Sequence, residues 1–385
     1  MRRTPTRSHL IAFLLILTAA CSSADGLSLG INGSHAPLVM GLSRQFQAYF
    51  PGVPADSVEW TVPGFQGGSI DSTGRFTAGF EAGEWPIAAT AMSDPTLTDT
   101  VTVTVVAYGP TTPLGIPAYG VAVSSAGVIA AGDAIGSVRI RDSVNTTTVV
   151  TGATPVHAAF APDGHSLFVN GFDGKLFRID VATGTVVDTA DFLGSTYNLA
   201  VRSSDTAVYV STGSGWIFKM APGTLAKLDS VLLASGSNGL AFGPGGTVLW
   251  ASTIDAGVLY RLDAATLDKT DSLVLGGGLQ RLAVAPSGDS VYVANQSNGK
   301  VFIVRPSTRT VSSILLNGTP HGVGLSSDGS KLFVAQLDGR VTVLDRKTLT
   351  LRGVVPVDGY PRNITSIPGS NSMLVSTEGD LVRID

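Results

Sequence analysis

The sequence has little cysteine and little charge. It contains one cysteine in 385 residues, and charged residues make up 14% of the chain. A disulfide scaffold needs paired cysteines, so that class of protein is excluded. A disordered chain is poor in hydrophobic residues, whereas they reach 44% here. The formal charge of −4 also argues against a nucleic-acid-binding protein, which needs a basic face, so no nucleic-acid partner is expected.

The common enzyme motifs are also missing. The sequence has no C-x-x-C-H haem motif, no H-E-x-x-H zinc motif and no G-x-x-x-x-G-K phosphate loop. We therefore predict no cofactor, no metal and no catalytic residue from motifs. Glycine, in contrast, is abundant: the chain has 46, about 12% against an average near 7%. Many glycines indicate many turns, which favours an all-β chain.

The N-terminus is typical of an export signal. Arg2, Arg3 and Arg7 precede an apolar run over residues 10–17, which is too short to cross a bilayer as a helix. We predict that residues 1–20 are a signal peptide. Removing the three arginines with it changes the formal charge from −4 to −7.

The end of this segment, Leu17-Thr18-Ala19-Ala20-Cys21, resembles the lipobox of bacterial lipoproteins. The resemblance implies a lipid on Cys21, a short tether over residues 21–26 and a membrane as partner. Thr18 stands where the consensus has leucine, and secretion with cleavage after an alanine is the alternative. Ser22 favours sorting to the outer membrane. We therefore expect an exported, membrane-anchored lipoprotein of the cell envelope, facing the periplasm or the surface.

Residues 27–107 form short alternating runs separated by turn residues. The alternation over residues 100–105, TVTVTV, predicts a half-buried strand. The segments VEWTV, GSIDSTGRFTA and AGEWPIAATA occur in an order that resembles a bacterial Ig-like domain of group 2. The resemblance implies a small β-sandwich that acts as a spacer. Trp60 could serve as a ligand platform, but a core position is the preferred interpretation.

The rest of the chain repeats. One apolar strand recurs seven times, at spacings of 37, 41, 41, 42, 41 and 41 residues. Its last residues are Val123, Phe160, Val201, Phe242, Val284, Leu325 and Ser366. A second strand follows each, centred on Ile129, Phe168, Tyr209, Trp250, Tyr292, Phe333 and Leu374. A period near 41 with four short strands predicts a seven-bladed β-propeller over residues 108–385.

The repeats APDGHSLFVN, APSGDSVYVANQSNGKVFIV and SSDGSKLFVAQLDGRVTVLD resemble the YVTN-type β-propeller repeat. The resemblance implies the fold and says little of function, because propellers carry many activities. The complete prediction is an all-β chain, an N-terminal Ig-like β-sandwich followed by a seven-bladed β-propeller.

Two details of the repeat lead to structural predictions. The seventh blade stops after its third strand at Asp385, so residues 108–114 are predicted to supply the fourth strand and close the ring. Acidic residues recur after the third strand, at Asp142, Asp180, Asp263 and Asp345. They are either metal ligands or turn caps, and turn caps are preferred.

The candidate site is the mouth of the propeller channel, where the loops lead into the innermost strands. The positions three and four residues before the seven strand ends contain two arginines, two histidines and no carboxylate. The predicted binding residues are Tyr119, His157, Tyr197, Asn198, Asn238, Gln280, Arg281, His321, Arg362 and Asn363. This composition suits an anionic or polyhydroxy ligand or an acidic peptide. The alternative is a solvated rim without function.

We therefore expect a non-catalytic binding or scaffold module, monomeric, for a protein, an envelope polymer or an anionic ligand. An enzyme, either a lactonase-like hydrolase or a lyase, is the alternative. In that case His157 or His321 would serve as general base at the mouth. A purely structural surface role is the third possibility.

Overall fold

The computed structural model describes residues 29–49, 58–63, 67–204, 206–234 and 236–385. These residues form β-strands and one 3-10 turn, Pro244–Gly246, and among them no α-helix occurs. None of the described segments is a helix long and apolar enough to cross a membrane. The expected signal peptide and tether, with Cys21, lie outside the described residues. The chain divides into two compact units, and residues 39–42 group with the second, which otherwise runs from Val106 to Asp385.

The first unit consists of short antiparallel strands. They are β1 (Gly30–Asn32), β2 (Leu38–Val39), β3 (Ser43–Gln45), β4 (Gln47–Tyr49), β5 (Val58–Thr61), β6 (Gly68–Ile70), β7 (Arg75–Ala78), β8 (Gly83–Ala91) and β9 (Thr98–Val106). Described strands form a four-stranded sheet β2-β9-β8-β5, a three-stranded sheet β3-β7-β6 and a pair β1-β4. In β9 the valines at 101, 103 and 105 are buried, so the predicted half-buried strand is confirmed.

Trp60 belongs to the core of this unit. It is partly buried and packs against a cluster that includes Leu29, Ala48 and Ala89. A tight turn begins at Asp71, whose carboxylate accepts a hydrogen bond of 2.9 Å from the backbone N–H of Thr73. Packing and turn chemistry thus account for the residues that the sequence singles out in this unit.

The second unit consists of seven four-stranded antiparallel sheets. The first three are β11 (Gly120–Val123), β12 (Ile129–Gly132), β13 (Ser137–Arg141), β14 (Thr146–Val150); β15 (Pro155–Phe160), β16 (Ser166–Gly171), β17 (Lys175–Asp180), β18 (Thr185–Asp191); and β19 (Thr196–Val201), β20 (Val208–Thr212), β21 (Trp216–Met220), β22 (Lys227–Leu232). The next two are β23 (Ser237–Phe242), β24 (Val248–Thr253), β25 (Val258–Asp263), β26 (Lys269–Val274); and β27 (Leu279–Val284), β28 (Val291–Asn295), β29 (Lys300–Arg305), β30 (Thr310–Leu315). The last two are β31 (Pro320–Leu325), β32 (Lys331–Gln336), β33 (Arg340–Asp345), β34 (Leu351–Pro356); and β10 (Thr111–Pro113) with β35 (Asn363–Ser366), β36 (Met373–Ser376), β37 (Leu381–Ile384).

The seven sheets form a closed ring. The first strand of each sheet contacts the first strand of the next, and β35 of the seventh sheet contacts β11 of the first. In every sheet the inner strand ends at the residue that the sequence repeat predicts as the last residue of that strand. A ring of four-stranded sheets around one axis is a β-propeller.

Large side chains fill the space between neighbouring sheets. Six of the seven residues at the centre of the second strand are buried, and Ile129 is the partly buried exception. Tyr209 illustrates the packing, because its ring lies against Leu249 and Leu262 of the next sheet. Its hydroxyl donates a hydrogen bond to the carbonyl of Ala264. Such aromatic side chains stabilise the ring through apolar burial.

The two ends of the propeller sequence meet in the seventh sheet. β10 pairs antiparallel with β37, with Thr112 opposite Arg383. The backbone N–H of Leu114 donates to the carbonyl of Leu381 at 2.9 Å. The Asp380 carboxylate accepts a hydrogen bond of 2.8 Å from the backbone N–H of Ile116. These bonds join residues more than 260 positions apart, and β10 supplies the fourth strand of the seventh sheet.

The four recurrent aspartates are turn caps. Each carboxylate accepts a hydrogen bond from a backbone N–H two or three residues further on, at 2.7 Å for Asp142, Asp180 and Asp263 and 3.0 Å for Asp345. Within the described residues, no cluster of three or more His, Cys, Asp or Glu side chains could hold a metal ion. The preferred interpretation, a turn cap, is therefore the one that the contacts support.

We expect Asp380→Ala to lower the free energy of unfolding by about 1–3 kcal/mol, because the N–H of Ile116 loses its partner at the seam of the ring. Denaturant unfolding measures the change. Asp163→Ala is the matched control, since Asp163 caps an exposed turn within a single blade. If both variants lose the same stability, the bond across the seam has no special role.

Candidate functional site

Two cavities lie among the inner strands, and together they are lined by all ten predicted residues. The first cavity, which we call the mouth, has a volume of about 140 Å³. It is lined by Tyr119, Val156, Phe172, Tyr197, Asn238, Ile254, Gln280, Arg281, His321, Arg362 and Asn363. The second, which we call the channel, has a volume of about 320 Å³ and contains His157 and Asn198 in its wall. Arg281 and Asn363 line both cavities.

Glycines make room for the polar side chains in the channel. The positions three residues before the strand ends are Gly120, His157, Asn198, Gly239, Arg281, Gly322 and Asn363. A Cβ at Gly239 would lie 2.7 Å from the carbonyl oxygen of Gln280, and one at Gly322 would lie 2.5 Å from that of Arg362. The neighbouring inner strand therefore leaves no space for a side chain there. The seven inner strands therefore have no room for seven side chains at this position. Three of the seven residues are glycines, and the other four carry the polar side chains.

Most of the predicted residues are buried. Asn198, Asn238, Gln280, Arg281, His321 and Asn363 are 3–8% exposed. Tyr119, His157, Tyr197 and Arg362 are partly buried. The alternative of a solvated rim is therefore wrong for six of the ten, because the inner strands crowd around one axis and exclude solvent from their first residues.

Arg281 is a buried cation without a carboxylate partner among the described residues. It is 7% exposed. One terminal nitrogen donates a hydrogen bond of 3.0 Å to the carbonyl of Tyr197, whereas Nε has no partner. Burial lowers its pKa to about 10; Tyr119 opposes this shift, and the positive charge of Arg362 adds to it. The guanidinium still carries its charge at neutral pH.

Arg362, in contrast to Arg281, has a carboxylate partner. Its Nε donates to the carboxylate of Glu378, and its guanidinium lies 5.1 Å from the centre of the Tyr119 ring. Glu378 follows β36, and the pairing of Asn363 with Ser376 brings that turn to the start of β35. The sequence pattern misses this carboxylate because the pattern covers the start of the inner strands, whereas Glu378 follows a second strand. The positive charge of Arg362 is compensated, so Arg281 alone remains unpaired at the mouth within the described chain.

Aromatic rings form one side of the mouth. The Phe172 ring lies edge-to-face with Tyr119 at 5.7 Å and with Tyr197 at 6.2 Å between ring centres. Phe172 is 38% exposed. The sequence pattern misses it as well, because it follows the second strand β16, whose end lies beside the start of β15 through the pair Pro155 and Gly171. We refer to these three rings as the aromatic arc.

The amides at the mouth are held by hydrogen bonds. Asn238 Nδ2 donates to Gln280 Oε1 at 2.5 Å. Asn363 Nδ2 donates to the carbonyl of Tyr119 at 2.7 Å. These bonds join neighbouring sheets and fix the side chains in place. The amides therefore act first as structural links around the axis.

Both histidines at the site are neutral at pH 7. Burial lowers the pKa of His157 and of His321 to about 3, and the positive charge of Arg281 contributes in each case. His321 Nδ1 lies 3.0 Å from the carbonyl oxygen of Arg362, whereas His157 Nδ1 has no partner in the part of the chain that the structure describes. A general base works best when its pKa is near the operating pH. At neutral pH the two histidines are therefore weak proton acceptors.

The buried histidines predict a pH dependence of stability. In the unfolded chain a histidine binds a proton near pH 6.5, whereas in the fold these two do so only near pH 3. The unfolded state therefore gains protons as the pH falls through 6.5, and each histidine costs about 2 kcal/mol of stability by pH 5. We expect His321→Asn to lessen this loss by about half, measured by denaturant unfolding at pH 7.5 and pH 5. The exposed His165, changed to Gln, is the control, and an unaltered slope in His321→Asn would contradict the assignment.

No protein-family model matches the sequence, and no curated protein matches it. Solved structures of β-propeller proteins do. The chain is similar to one from Kuenenia stuttgartiensis hydrazine synthase, at 17% identity and a TM-score of 0.65, over 71% of this chain and 97% of that one. It is similar to the Cps50 (Swd1) β-propeller domain of Myceliophteria thermophila, at 14% identity and a TM-score of 0.62, over 72% and 100% of the two chains. A chain of the mitotic checkpoint complex matches at 14% identity and a TM-score of 0.64, over 71% and 90%. At these identities the similarity shows the fold alone.

Proposed function

We propose that this protein is a non-catalytic binding module whose propeller mouth holds the anionic group of a ligand. The observation that carries the proposal is Arg281, a buried guanidinium that no described carboxylate neutralises. Burying an unpaired charge is costly unless a partner compensates it. A carboxylate or phosphate that entered the mouth would accept hydrogen bonds from the guanidinium and remove this cost.

The surroundings of Arg281 support binding. The aromatic arc offers an apolar face beside the charge, and such faces pack well against the carbon skeleton of a ligand. Glu378 compensates Arg362, so an anion near Arg281 gains the attraction of one net positive charge. A single anionic group with an attached apolar body fits this arrangement.

The lowered pKa values of the two candidate bases do not favour the enzyme alternative. The two histidines that would serve as general bases have pKa values lowered to about 3. A base with so low a pKa is a weak proton acceptor at neutral pH. We therefore favour a binding role over a hydrolase or a lyase.

The N-terminal unit is proposed to be an Ig-like β-sandwich that acts as a spacer. The alternation of buried valines in β9 and the capped turn at Asp71 support this assignment. The expected protein or envelope-polymer partner and the monomeric state remain predictions.

We also propose that Cys21 carries a lipid that anchors the protein to a membrane of the cell envelope, with the outer membrane favoured by Ser22. In a bacterial host, the wild-type chain should incorporate labelled palmitate and sediment with membranes. Cys21→Ala should lose both properties, because the acylated thiol is removed, whereas Ser22→Ala should keep the label. An unlabelled wild-type protein would support secretion with cleavage after an alanine instead.

The binding proposal predicts stabilisation by anions. With the full chain, a thermal-shift series with phosphate, sulfate, citrate and glucuronate should raise the melting temperature by several degrees for at least one anion. A ligand at one hundred times its Kd adds about 2.7 kcal/mol to stability. Arg281→Met should abolish the shift. Arg352→Met, which removes an exposed arginine paired with Asp345, should retain it. Equal shifts in Arg281→Met, or no shift with any anion, would overturn the proposal.

A further inference from the structure

Three polar atoms that line the channel lack a hydrogen-bond partner in the described protein. They are Arg281 Nε, Asn198 Oδ1 and His157 Nδ1, and all three are buried. Buried polar atoms are nearly always hydrogen-bonded, so each such atom needs an explanation. Three of them in the wall of one cavity indicate that the cavity is built for a polar group.

The donors and acceptors define this polar group. The Nε–H of Arg281 only donates, whereas Oδ1 of Asn198 only accepts. A simple anion satisfies the arginine and leaves the asparagine unpaired. A ligand that satisfies both must carry an anionic oxygen and also a hydroxyl or another donor. A hydroxyl can also accept or donate at the Nδ1 of His157, whichever its tautomer requires.

Aliphatic side chains also line the channel. Its wall includes Val121, Leu240, Leu282, Val323 and Ile364. A volume of about 320 Å³ falls within the range of about 300–1,000 Å³ for small-molecule sites. The mouth, at about 140 Å³, is smaller than that range. The channel can therefore hold the body of a small ligand whose polar end lies at Arg281.

We propose that the channel binds a small hydroxycarboxylic acid with an apolar chain. The carboxylate lies at Arg281, the hydroxyl donates to Asn198 Oδ1, and the chain packs against the aliphatic side chains of the channel. This inference rests on the proposed function, because the same arginine binds the anionic group. It adds a second requirement, the hydroxyl, and places the ligand body inside the channel.

The test uses three compounds with the same carbon chain: 2-hydroxyhexanoate, hexanoate and 2-hydroxyhexanamide. Isothermal titration of the full chain should show 2-hydroxyhexanoate binding about tenfold more tightly than hexanoate, since hexanoate leaves the buried acceptor unpaired. The uncharged amide should not bind measurably. Asn198→Leu should bring the affinity for the hydroxy acid down to that for hexanoate, whereas Arg281→Met should abolish binding of both acids and Arg352→Met should change neither.

Equal binding of 2-hydroxyhexanoate and hexanoate by the wild-type protein, lost in Arg281→Met, would overturn the hydroxyl requirement and leave the anion site standing. No binding of any of the three, together with a thermal shift by another anion, would overturn the hydroxy acid alone. No binding in either experiment would overturn the proposed function as well. The comparison of ligands on the wild-type chain decides these outcomes even if Asn198→Leu does not fold.

Discussion

The crowding of seven strands around one axis is the constraint on which the rest of this propeller depends. The residue before each strand end is small: Ala122, Ala159, Ala200, Ala241, Ala283, Gly324 and Thr365. Two positions earlier in their strands, Gly239 and Gly322 lie so close to the backbone of the next inner strand that a Cβ atom would not fit. Further out, where the sheets diverge, aromatic residues such as Tyr209 and Tyr292 fill the gaps and are almost fully buried. Side-chain volume thus increases outward as the available space does.

The same crowding gives the site its electrostatic character. It removes the first residues of the inner strands from water, so polar groups placed there must find partners in the protein or in a ligand. Arg362 finds Glu378, and Asn363 finds the carbonyl of Tyr119. Among the described residues, Arg281 finds one carbonyl and no carboxylate. The two arginines occupy adjacent positions in the repeat pattern, yet one has a carboxylate partner and the other has none among the described residues.

The seam of the ring lies beside the mouth. The carbonyl of Tyr119, in the segment before the first inner strand, accepts hydrogen bonds from Asn363 Nδ2 and from Ser376 Oγ, each 2.7 Å long. Both donors belong to the seventh sheet, whose outer strand comes from the start of the propeller sequence. Closing the ring therefore also positions Tyr119 and Arg362. Stability and the geometry of the mouth are coupled through the same few contacts.

The sequence by itself determined the all-β class, the seven repeats and the ends of the inner strands, because these depend on local alternation and on a period near 41. It also identified ten polar residues that line the central cavities. Only the tertiary structure decided which of them are buried, that Glu378 compensates Arg362, and that Phe172 completes the aromatic arc. These properties depend on strand pairing that brings the end of one strand beside the start of another, across separations that local patterns do not encode. The pairing of charges followed from the fold, whereas the positions of the residues followed from the repeat.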